Sequence, residues 1–145
     1  MRSVLVHLKQ TSAESVAETL DEMCGGRYGT GLRWVYPSSS QAVLYVNFYA
    51  DYERFEPEVW AAVHRELGME PDVSIIAEVT GRTGGQREVC AFTRQLLTRH
   101  EGVAQDDYTV HLWKQEEIEA GVKVEGHGFF DTIGWWHARP TKPPS

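Results

Sequence analysis

The run Ala42 to Tyr49 constrains the fold most. Val43, Tyr45 and Tyr49 fall on one side of an extended chain, and Leu44, Val46 and Phe48 fall on the other. A strand apolar on both sides must be covered on both, which predicts a central place in a sheet. The segments around it supply the rest of that sheet. Val4, Val6 and Leu8 alternate with Leu5, His7 and Lys9, which predicts a first strand. Leu32 to Tyr36 reads as a strand stopped by Pro37, with a turn at Ser38 to Ser40, and Val73 to Thr80 as a further strand.

Helical spacing fills the gaps. Thr11 is a predicted N-cap, and Glu14 three residues on would complete a capping box. Ala13, Val16, Ala17, Leu20 and Met23 recur on one face, and Gly25 and Gly26 end the helix. A second helix opens at Pro57, carries Val59, Trp60, Val63 and Leu67 inward, and stops at Gly68. The order β-α-β-β-α-β predicts a ferredoxin-like α+β core with both helices on one face of an antiparallel sheet. A third helix, Gln86 to His100, buries Val89, Phe92, Thr93 and Leu96 and is expected over the other face or an edge strand.

The remainder reads as a C-terminal, strand-rich extension. It has a short strand at Val103 and Ala104, a turn at Gln105 to Tyr108, and a strand through Val110, Leu112 and Trp113. A helical turn follows at Gln115 to Ala120, then a strand at Val122 to Val124. Phe129, Phe130, Ile133, Trp135 and Trp136 form an apolar cluster. Residues 1–139 are expected to be one domain, and the polar, proline-rich stretch 140–145 a disordered tail.

Charge narrows the function. The net charge is −7, which disfavours nucleic acid, because binding phosphates requires a basic face. Residues 51–78 hold eight acids against Arg54 and Arg65, and residues 101–131 hold eight against Lys114 and Lys123. Such a surface is either a solvated face or a means of steering a basic partner at long range. No apolar run is long enough for a membrane span or a signal peptide, and Cys24 and Cys90 are too few and too far apart for a disulfide framework. A cytoplasmic protein is expected.

Catalytic patterns are weak. His127, Asp131 and His137 could form a metal set, but the spacing is not that of a zinc motif. Asp106-Asp107 and Glu116-Glu117 could divide acid and base roles in a small hydrolase, although adjacent acids on a turn usually point apart. Gly81-Arg82-Thr83-Gly84-Gly85 lacks the spacing of a phosphate loop. No cofactor is expected. The aromatic residues Tyr108, Trp113 and Trp136, set among Asp106, Asp107, Glu116 and Glu117, have the make-up of a protein-binding hot spot. Those seven residues form the expected partner site. A homo-oligomeric sensor or structural domain is the other reading, and the chain is expected to be a monomer or weak homodimer.

The segment Val103 to Ile118, with Asp-Asp-Tyr at 106–108, Leu-Trp at 112–113 and Glu-Glu-Ile at 116–118, resembles small acidic bacterial immunity proteins of polymorphic or contact-delivered toxin systems. The resemblance implies a non-enzymatic protein that neutralises a cognate toxin by covering its active site. It implies no particular contact residues, since those families vary most at the toxin-binding surface.

Overall fold

The computed structural model describes residues 2–27, 33–36, 44–80 and 85–131. Expectations for Leu32, Ser38 to Ser40, Ala42 and Val43, the loop 81–84, Ile133, Trp135, Trp136, His137 and the tail 140–145 lie outside those residues. The described chain is α+β. It runs β1 (Arg2–Leu8), α1 (Ala13–Cys24), β2 (Arg33–Tyr36), β3 (Leu44–Phe48), a 3-10 turn (Tyr52–Arg54), α2 (Pro57–Leu67) and β4 (Val73–Val79). It continues through α3 (Gln86–Arg99), β5 (Gly102–Asp106), β6 (Leu112–Trp113) and α4 (Gln115–Ala120). The six strands form one sheet in the order β2-β3-β4-β1-β5-β6, with every neighbouring pair antiparallel.

This strand order is not ferredoxin-like. In that arrangement the first strand lies between the third and fourth, antiparallel to both. Here β1 lies between β4 and β5, antiparallel to both, and β3 pairs with β4. Because β4 and β5 both oppose β1, they are parallel to each other. The split unit is therefore β4-α3-β5 around β1, built with the helix that the sequence reading had treated as an addition.

The helices also divide differently from expectation. Val4, Val6 and Leu8 of β1, with Ile75, Ala77 and Val79 of β4, pack beneath α1 and α3. Val16, Ala17 and Leu20 of α1 and Val89, Phe92 and Leu96 of α3 meet them in the main core. α2 lies on the opposite face, where Val63 and Leu67 pack on Val103 and Leu112. β3 is interior to the sheet as predicted, but the described residues cover only one of its faces. Leu44 and Val46 are buried, whereas Tyr45 is 49 % exposed.

Local signals mostly act as read. Gly25 and Gly68 take φ of +76°, closing α1 and α2 in the left-handed conformation that glycine adopts cheaply. The N-cap of α1 is Ser12, not Thr11: its hydroxyl accepts from the Ser15 N–H at 3.1 Å. Thr11 instead bonds His100 at 3.1 Å. The predicted strand at Val122 to Val124 is reduced to one bridge, Val124 to His127, and Val110 lies outside β6 and is exposed. Among the described residues no helix is long and apolar enough to cross a membrane.

At Gly102, β5 passes close to the β1 backbone. A Cβ there would collide with the His7 carbonyl oxygen and lie 2.9 Å from the Leu8 side chain. Backbone cannot yield as a flexible side chain does, so Gly102→Ala is expected to cost about 2–3 kcal/mol. A denaturant midpoint unchanged from that of the original protein would refute this.

Candidate functional site

The seven residues expected to form the partner site have different positions and partners. Trp113 is fully buried in the main core, edge-on to His111 at 4.8 Å and to Phe129 at 5.6 Å. Asp106 is also buried. Its Oδ1 accepts from the N–H groups of Tyr108 and Thr109, both at 3.2 Å, and its Oδ2 accepts from Phe130 N–H at 3.0 Å. Tyr108 is half-buried, edge-on to Phe130 at 5.4 Å. Glu117 accepts from Lys114 N–H at 2.9 Å, closing the start of α4, and bonds the His111 ring at 3.1 Å. These four hold the C-terminal part of the fold together, and a side chain occupied in this way has little left to offer a partner.

Asp107 and Glu116 are exposed but stand apart. Asp107 accepts from Ser3 N–H at 2.7 Å on β1; the residue as a whole is exposed, but the strand displaces part of the water around its carboxyl and pushes it up. Glu116 lines a hollow with Lys9, Glu66, Glu101 and Lys114. Trp136 lies outside the described residues. His127 and Asp131 are paired at 3.6 Å. Among the described residues no group of three or more His, Cys, Asp or Glu could hold a metal ion. Burial pushes the Cys24 thiol up to about 12 and the Cys90 thiol up to about 11, so neither provides a thiolate nucleophile.

A denser constellation forms between β3 and α2. Tyr49 N–H extends the sheet by donating to Ser74 O at 2.9 Å. The chain then tightens into the 3-10 turn, with Arg54 N–H to Asp51 O at 3.0 Å and Phe55 N–H to Tyr52 O at 3.1 Å. Glu56 stays extended, as a residue before proline must, and Pro57 starts α2. This path gathers four half-buried rings. Tyr49 stacks on Phe55 at 5.8 Å and Tyr52 on Trp60 at 4.7 Å, while Phe55 leans on Trp60 at 5.5 Å. His64 extends the cluster along α2, 4.5 Å from Trp60.

Charge surrounds these rings. Asp51, Glu53, Glu56 and Glu58 are all exposed, against Arg54 alone. The hydrogen bond and charge of Glu58 hold the Glu56 carboxyl above the usual carboxylate range. Glu58 is held below it by its own backbone N–H and by the bond from Glu56. Two carboxyls set this close together crowd negative charge at an exposed helix start, where a cation is favoured.

The ridge is rooted in the sheet. Tyr52 O–H donates to Ser74 Oγ at 3.0 Å, and Ser74 Oγ lies 2.7 Å from His7 Nδ1. His7 Nε2 lies 3.1 Å from Gln105 Oε1. An amide oxygen only accepts, so Nε2 carries the hydrogen and Nδ1 accepts from Ser74. His7 is fully buried, with Phe55 edge-on at 5.8 Å. Burial pushes it down to about 4, so it is neutral at ordinary pH. The sequence carried a signal for this site in the eight acids of residues 51–78 and in the rings at 49, 52, 55 and 60. In sequence the stretch 51–56, with Asp51, Glu53, Arg54 and Glu56 and no helix or strand period, reads as a polar loop, which hides the site.

No protein family, curated protein or solved structure matches the chain.

Proposed function

We propose that this chain is a binding protein that docks a basic partner protein through the acidic aromatic ridge of residues 49–60. The immunity-protein reading is the form of that function we favour: an acidic domain that covers the active site of a cognate toxin. The observation that carries the proposal is the packing of Tyr49, Tyr52, Phe55 and Trp60 into one half-buried stack surrounded by Asp51, Glu53, Glu56 and Glu58. Stacked rings give a rigid apolar centre at low entropic cost, and a charged rim speeds encounter and selects the sign of the partner.

The test is co-production with the C-terminal region of the protein encoded immediately upstream, followed by binding kinetics. Glu53→Arg and Glu58→Arg are both on the rim and outside the hydrogen-bond network below it. Each is expected to slow association about tenfold at low salt and to flatten its salt dependence. Association equally fast for all three proteins at every ionic strength would remove the ridge from the interface.

A further inference from the structure

We draw no further inference here: the strongest candidate, the polar hollow of about 290 Å³ between the end of α2 and the start of β5, has its lysines already engaged, Lys9 Nζ with Leu67 O at 2.6 Å and Lys114 Nζ with Glu66 at 4.0 Å, and nothing in the structure shows what would fill it.

Discussion

Asp106→Ala is expected to lower stability by about 3 kcal/mol and to release the chain around Phe130. The carboxylate is buried and accepts three backbone hydrogen bonds, two from the turn after β5 and one from Phe130. Truncation leaves those donors facing a void. Each buried donor without an acceptor costs about 1–3 kcal/mol, with the lower figure for Tyr108 and Thr109, which are half-buried and can recruit water. The Phe130 N–H is fully enclosed, and Phe130 itself holds a φ of +53°, a strained value for a residue with a Cβ. The Asp106 bond is one of the contacts that keep it there. Gln86 Nε2, donating to Phe129 O at 3.2 Å, is another. Asp106→Asn retains one acceptor oxygen but turns an amide N–H₂ towards one of the donors, so it should fall between the original protein and the alanine variant. Urea denaturation checks the free energies, and amide exchange at Phe130 checks the location, with Asp106→Ala expected to exchange much faster there. If both stay unchanged while affinity for a partner drops, Asp106 belongs to an interface after all.

Asp106 was legible in the sequence only in part. The pattern Asp-Asp-Tyr announced a turn over Gln105 to Tyr108; instead Gln105 and Asp106 complete β5 and the chain first bends at Asp107 and Tyr108, with Asp106 bonding the next backbone N–H groups. Nothing local indicated that Asp106 would point inward. That follows from register: Val4 lies opposite Asp106, so this side chain takes the helix-covered face, and Asp107 takes the other. Register is set by pairing between β1 and β5, about a hundred residues apart, and the sequence carries no local trace of it.

The same limit explains the strand order. Periodicity found the strands and three main helices, because burial on one face imprints a spacing on the chain. It could not tell that β5, and not β3, would be the second neighbour of β1 beside β4. Trp113 shows the cost of judging exposure by residue type, since its neighbours Lys114 and Glu116 are exposed while its ring is wholly interior. The ridge was hidden for the opposite reason. Tyr52, Glu53, Arg54 and Phe55 have no strand or helix period, yet a short 3-10 turn can stack rings without one.

His7 supplies the other large expected effect, a loss of stability in acid. Its ring is neutral in the folded protein because burial holds it at about 4, against 6.5 in the open chain. Among the described residues no charged group faces it. Ser74 comes from β4, Gln105 from β5, and Tyr52 and Phe55 from the segment above. With its folded value depressed, the unfolded chain takes up a proton first as pH falls below 6.5. Stability is therefore full above that pH and drains away down to about pH 4, by about 3 kcal/mol in total. Burial moves Asp106 and Asp107 the other way, upward, so their contribution is present at low pH and lost as pH rises through their folded values. The net curve mixes the two directions, and a difference measurement separates them. His7→Gln cannot take up a proton and can still bond Ser74. It should be less stable than the original protein at pH 7, with the gap narrowing by about 3 kcal/mol as the pH is lowered to 4. Tyr52 emission should report the change as well, because its hydroxyl loses an ordered acceptor when Ser74 turns to meet a protonated ring. A gap that stays constant across that range would mean the imidazole is no more shielded from water when folded than when unfolded, and the ridge would then lack the rigid, dry base that this hydrogen-bond chain gives it.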